Sequence, residues 1–447
     1  MREEAPAQAM RRGRAWLGRG VWTVADQALY AGANFALNVV LARELTPAAY
    51  GAFTTGFITF LLLGAIHGGL LVEPVLVFGA GRFRSRWALY LRWAVGAHVR
   101  LALAAGGALA LGAAGALLMG QVVLAEALAG FAIAQGGVLA LWLLRRACHV
   151  VARPQWAAAA GAVYLVLLLG TGYALDLGHH LNALSAPLLM GGAALVTAAA
   201  LAVPLGLRPG RVPEELGREA REAHHGYGRF SAWTGVLEWV QGSMAFLIVP
   251  FFAGLEGTAL LRAAYNLAMP ALQAASALTV MSIPILVRAG ARGTLKSTAV
   301  RLGGLLVGGA VLYGVLAGLF GGPVMEWLYR GVYTAGPGLR WALAVLPAAS
   351  VLAGVLAAVL RAQERPRAVL AARGVSVVGG AALTAGLSAV AGVPGALVAE
   401  SLTLGVEAAG LAVALHRGVP ATPAPPLTPA AVSADHFSVL PVLEPVA

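Results

Sequence analysis

From residue 21 to residue 415 the chain is a succession of apolar runs separated by short polar stretches. Each run is near the ~20 residues a helix needs to cross the hydrocarbon layer of a bilayer. In lipid every backbone N–H and C=O must be satisfied inside the segment, and a helix does this. The runs fall at 21–41, 53–78, 93–118, 122–144, 155–175, 184–206, 231–253, 263–287, 299–321, 339–360, 369–391 and 395–415. Only 11% of the residues are charged and 59% are hydrophobic, whereas a soluble domain carries roughly 25% charged residues. The sequence therefore predicts an all-α integral membrane protein of twelve transmembrane helices.

Charge gives an independent check on the number of crossings. With the N-terminus cytoplasmic, alternation places 26 of the 31 Lys and Arg on the cytoplasmic side, in the tail and in the stretches 82–92, 145–153, 208–229, 288–301, 361–373 and at Arg417. Arg43, Arg262, Arg330 and Arg340 fall outside, and Arg100 lies within a span. Basic residues favour the cytoplasmic side, and one miscounted helix would scramble the imbalance, so both termini are expected to be cytoplasmic. Arg2, Arg11, Arg12, Arg14 and Arg19 resemble the charged start of a signal peptide. No small-residue cleavage site follows the first apolar run, so that run reads as a retained helix. The single cysteine, Cys148, excludes an intramolecular disulfide and a cysteine-based metal cluster.

Residues 1–20 read as a basic cytoplasmic segment, followed by a six-helix lobe at 21–207. The longest internal cytoplasmic stretch, 208–230, interleaves Glu214, Glu215, Glu219 and Glu222 with arginines and reads as a linker carrying a short surface helix. A second six-helix lobe follows at 231–416. The two echo each other: Trp22-Thr23 precedes Asp26 in the first, and Trp233-Thr234 precedes Glu238 in the second. Six helices per lobe keep the same orientation in both, which implies a pseudo-two-fold along the membrane normal. The proline- and alanine-rich end, 417–447, has no helical period and reads as a disordered cytoplasmic tail.

The first span is unusual. Asp26, Tyr30, Asn34 and Asn38 follow one another at i+4, and Gln27 lies in the same arc. Polar groups without partners are costly in lipid, so this face must look into protein or into water. It is either a seam between helices bonded through amides or the lining of a transport path. Glu238 and Gln241 share a face of the seventh span; Arg262, Asn266 and Gln273 share one of the eighth, with Pro270 between them to free a carbonyl. Glu400 and Glu407 share a face of the twelfth span. His67, Glu73-Pro74, His98, Glu126 and Gln135 are further polar positions inside spans. Desolvation raises the pKa of a buried carboxylate unless a cation pairs with it. Asp26, Glu238 and Glu407 are accordingly candidate proton or cation sites, or internal partners of Arg100. Asp26 and Glu238, matched by the internal echo, are expected to face each other and share a proton.

Several function classes are excluded. No external loop could house the catalytic domain of a glycan polymerase or glycosyltransferase. There is no phosphate-binding glycine loop with lysine and serine, no zinc spacing and no nucleophile elbow, so the chain is not expected to be an enzyme. The basic loops lack interleaved aromatics, which suits phospholipid contact better than nucleic acid. A transporter or channel remains.

The opening WTVADQALYAGANFALNVVLARELTPAAYGAFTTGF, followed by LLVEPVLVFGAGRFR, resembles the N-terminal signature of bacterial polysaccharide-export flippases. These are the O-antigen-type members of the multidrug/oligosaccharidyl-lipid/polysaccharide (MOP) exporter superfamily. Gly254 to Pro270 and Met325 to Gly336 resemble the corresponding hairpins of the second lobe. The resemblance implies two lobes around a central cavity in the bacterial inner membrane. It also implies alternating access that moves a polyprenyl-pyrophosphate-linked oligosaccharide outward, for lipopolysaccharide or exopolysaccharide synthesis. Asp26, Gln27, Asn34, Asn38, Glu238, Gln241, Asn266 and Gln273 would meet sugar hydroxyls; Arg100 and Arg262 would meet pyrophosphate, which arginine pairs bidentately. Glu407 joins Asp26 and Glu238 as a coupling candidate for H+ or Na+, with no other cofactor. Glycosyltransferases or a polymerase are the partners implied. A cation-coupled multidrug exporter of the same superfamily is the rival reading.

Overall fold

The computed structural model describes residues 4–417, with side chains from residue 21 onward except that of Val280. The expected tail lies outside the described residues, apart from Arg417. Eleven helices follow in order: α1 (Glu4–Glu44), α2 (Pro47–His67), α3 (Glu73–Ala80), α4 (Trp87–Leu118), α5 (Val122–Val150), α6 (Pro154–Leu177), α7 (Ser185–Ala202), α8 (Glu214–Ala291), α9 (Leu295–Leu328), α10 (Pro337–Ala362) and α11 (Pro366–His416). A π-helical turn, Gly68–Val72, joins α2 to α3. No strand occurs among the described residues. Counting α2 with α3, nine helices among them are long and apolar enough to cross a membrane.

Two of these helices are too long for a single crossing. At about 1.5 Å per residue, the 78 residues of α8 would far exceed a hydrocarbon layer of about 30 Å. Each long helix is broken by a glycine in the left-handed region: Gly254 in α8 (φ 63°) and Gly392 in α11 (φ 57°). Only glycine takes these angles without strain.

The described residues divide into two compact units, one running to Trp239 and the other starting at Val240. In the first, α5 packs against α2, α4 and α7, and α1 lies along α6. Phe53, Phe57 and Phe60 of α2 gather around Phe131 of α5. In the second, α10 packs against α9 and α11. Lipid is as apolar as leucine, so association of helices relies on close approach at small residues. A Cβ on Gly137 would sit 2.4 Å from the Gly191 carbonyl oxygen, and one on Gly314 would sit 2.1 Å from that of Ala344.

The 208–230 stretch differs from the separate surface helix expected. Residues 214–230 are the first turns of α8 and run on into the seventh span. The alternation of Glu, Ala and Arg has good helix propensity, and acids at Glu214 and Glu215 suit a helix start.

Adjacent glycines test the packing. A Cβ on Gly191 would meet Ala134 Cα at 2.5 Å, while one on Gly192 would meet nothing within 4 Å. Gly191→Val should lower stability by about 1–3 kcal/mol through overpacking, and Gly192→Val should leave it nearly unchanged. Thermal unfolding of the detergent-solubilised protein measures both, and equal effects would contradict the α5–α7 contact.

Candidate functional site

The polar stripe of α1 is satisfied within the first unit. Asp26 is 1% exposed, and its carboxylate meets the guanidinium of Arg145, on α5. Arg145 Nε donates to Oδ1 at 2.8 Å, and its terminal Nη2 lies 2.7 Å from the same oxygen. Nη2 also donates to the Asp26 backbone carbonyl at 3.2 Å. The other carboxylate oxygen is approached by His149 Nε2 (3.4 Å) and by Gln27 Nε2 (3.2 Å).

Local sequence explains the match. Trp142, Arg145 and His149 recur at i, i+3 and i+7 and so share one face of α5, while Asp26 and Tyr30 share one face of α1. Arg145 lies over the Tyr30 ring, 4.1 Å from its centre, and Trp142 Nε1 donates to the Tyr30 hydroxyl at 2.5 Å. Tyr30 in turn stacks on Tyr164 of α6, ring centres 5.2 Å apart. Positive groups in the last turns of α5 also suit the negative end of the helix dipole.

This arrangement corrects two expectations. Asp26 does not share its proton with Glu238: an arginine neutralises it, and Glu238 is an exposed residue of α8 with interactions of its own. Nor is Arg100 the sole cation inside a helix. The apolar run stops at Leu144, whereas α5 continues to Val150 and buries Arg145. Arg100 itself is exposed on α4, on the side of exposed Val99 and Leu103. Asn34 and Asn38 donate to the carbonyls of Tyr30 and Asn34 on their own helix, both at 2.8 Å. The Asn38 carbonyl also accepts from the Tyr50 hydroxyl at 3.4 Å. Gln27 is exposed.

The second unit holds a parallel arrangement. Glu407 is 2% exposed and is met by Arg373 Nε at 3.3 Å and by the amide of Gln241, which donates to its other oxygen. Sequence reasoning named Gln241 and Glu407 separately; the fold joins them. Arg373, at the end of the basic stretch 361–373, lies within α11. Asn266 is buried and donates to the Tyr329 hydroxyl at 3.3 Å, and that hydroxyl donates to the Ala263 carbonyl at 3.0 Å. Arg262 is half-buried and Gln273 exposed. Glu400, absent from the expected site residues, accepts a hydrogen bond from Tyr265, while its Oε2 is buried without a hydrogen-bond partner. No group of three or more metal-ligating side chains occurs among the described residues.

No protein-family model and no curated protein sequence matches the chain. Solved structures do. The chain is similar to the lipid II flippase MurJ in an inward closed conformation, with TM-score 0.71 and 10% identity over 89% of this chain and 87% of that one. It is also similar to an inward-facing multidrug resistance transporter of the MATE family, with TM-score 0.67 and 16% identity over 88% and 94%. A MOP-superfamily transporter from Pyrococcus furiosus gives TM-score 0.60 and 13% identity over 90% and 95%. The fold is that of the MOP transporters, and the chain is a multi-pass membrane protein.

Removing one partner of a buried ion pair leaves an uncompensated charge. Arg145→Met should therefore cost about 3–5 kcal/mol, and adding Asp26→Asn should recover much of the loss. Denaturation of the single and double variants checks this; additive losses would contradict the pairing.

Proposed function

We propose that the chain is a flippase of the bacterial inner membrane, moving a polyprenyl-pyrophosphate-linked oligosaccharide from the cytoplasmic to the outer leaflet by alternating access. With α2 and α3 taken as one crossing and α8 and α11 as two each, the helices make twelve crossings with both termini cytoplasmic. The observation that carries the reading is the commitment of acids: Asp26 and Glu407 are each ion-paired with an arginine. An exporter that exchanges protons or sodium for organic cations needs such acids to be exchangeable. A carrier of an anionic lipid-linked sugar needs hydrogen-bonding groups and cations instead. Gln27 and Gln273 are exposed amides, and Arg100 is an exposed cation. The likeness to a lipid II flippase supports a lipid-linked substrate.

The second reading, a cation-coupled multidrug exporter, is favoured by one observation. Glu400 keeps a buried carboxylate oxygen without a hydrogen-bond partner, and such a group could take up H+ or Na+. The likeness to a multidrug transporter of the MATE family supports it as well. In the flippase reading, glycosyltransferases supply the substrate and a polymerase or ligase consumes it.

Deletion of the gene separates the two. Lipid-linked glycan should accumulate on the cytoplasmic leaflet and surface polysaccharide should fall. Unchanged surface polysaccharide with new sensitivity to cationic dyes would establish the exporter instead.

A further inference from the structure

Pro74 has no N–H, so the carbonyl of Leu70, four residues earlier, loses the donor an α-helix would give it. The π-helical turn Gly68–Val72 lies at the same place, and such turns often mark functional positions. The orphaned carbonyl is taken by His224, from the N-terminal part of α8, whose Nδ1 lies 3.0 Å from Leu70 O. A carbonyl can only accept, so Nδ1 carries the proton. In the neutral ring Nε2 is then an acceptor, and Tyr90 supplies the donor from 2.7 Å. Tyr90 Oη also lies 3.4 Å from Pro74 O.

The same segment is held at five more points. Ser231 donates to the Glu73 carboxylate. A Cβ on Gly69 would lie 2.3 Å from the Ala232 backbone, and one on Gly228 would lie 3.1 Å from Leu70 Cα. Arg82 and Arg86 both bond Glu219, each at 2.8 Å, and these bonds hold its carboxyl below the usual range. Trp239 Nε1 donates to Ile58 O at 2.9 Å.

We propose that the Glu73–Pro74 step and the π-turn before it form a receptor for residues 214–239, and that neutral His224 is its key, so that protonating His224 unlatches the segment from the earlier helices of the first unit. The ring is packed by Trp93 (ring centres 4.6 Å apart), Tyr90 and Phe78, none of them charged. The charged groups of the elements around it are engaged elsewhere: Glu73 with Ser231, Arg82 and Arg86 with Glu219, and Arg92 with the Arg211 carbonyl. On its own helix Arg221, Glu222 and His225 are exposed. A proton on Nε2 would therefore have no carboxylate to meet, and the Tyr90 hydroxyl would have to turn away to Pro74 O.

Burial holds His224 down from its ordinary 6.5 to about 4. Because the docked pKa is depressed, the stabilisation is fully present above pH 6.5 and is lost as pH falls from 6.5 towards 4. With the topology proposed above, the latch reports cytoplasmic acid.

Hydrogen exchange of the full-length protein in lipid nanodiscs tests this, with rates corrected for the intrinsic pH dependence. Between about pH 7 and pH 5 the protection of amides 214–230 should fall on the order of tenfold, while amides 122–150 stay protected as a control on folding. His224→Asn places an amide donor where Nδ1 was and does not titrate, so it should keep protection at both pH values. His224→Ala should lose protection at both. Pro74→Ala restores an N–H for Leu70 O, so adding His224→Ala to it should cost less than in the parent. Acid release that persists in His224→Asn, or unchanged protection in His224→Ala, would overturn the proposal.

Discussion

The contact between Asp26 and Arg145 organises the first unit. A carboxylate within a membrane helix is tolerated when a cation and hydrogen bonds replace water. Here one guanidinium serves the carboxylate, the Asp26 backbone carbonyl and the Tyr30 ring together. The pair fixes the rotation of α1 about its own axis, because only one face of that helix can meet α5. Tyr30, Tyr164 and Trp142 then follow as a packed and bonded continuation of the same seam.

The second unit solves the same problem with different parts. Glu407 sits on α11 and its arginine on the earlier part of that helix, with Gln241 of α8 completing the set. The echo of Trp-Thr followed by an acid in the two halves pointed to Asp26 and Glu238 as equivalents. The buried, arginine-paired acid of the second unit is instead Glu407. A local echo in sequence records the position of an acid along a helix, and the partner is set by which neighbouring helix brings a cation to that depth.

The all-helical architecture was legible because apolar runs of bilayer length form helices that satisfy their own backbone. Every span expected from the sequence overlaps a described helix, though the sixth, 184–206, runs past the end of α7 at Ala202. Arg145 falls outside its expected span for a physical reason: hydropathy ends a span at the first strong charge, while a helix ends where its backbone stops. Leu144 closes the apolar run, yet α5 runs six residues further. The continuity of 214–230 with the seventh span was hidden in the same way. Its polar residues suggested a separate surface element, whereas Glu219 and His224 bond the earlier helices of the first unit. Glu73-Pro74 was visible as a polar step inside the second span, but which donor would answer Leu70 is a tertiary fact.

The proposal of a lipid-linked anion as substrate rests on acids committed to arginines, Asp26 to Arg145 and Glu407 to Arg373. Reconstitution tests this most directly. Vesicles containing the purified protein and a fluorescent polyprenyl-pyrophosphate-linked oligosaccharide are exposed to a membrane-impermeant quencher. The protein should make the inner-leaflet fluorophore accessible, so that quenching exceeds that of protein-free vesicles. Quenching equal to that of protein-free vesicles, together with uptake of an organic cation driven by a proton or sodium gradient, would contradict it.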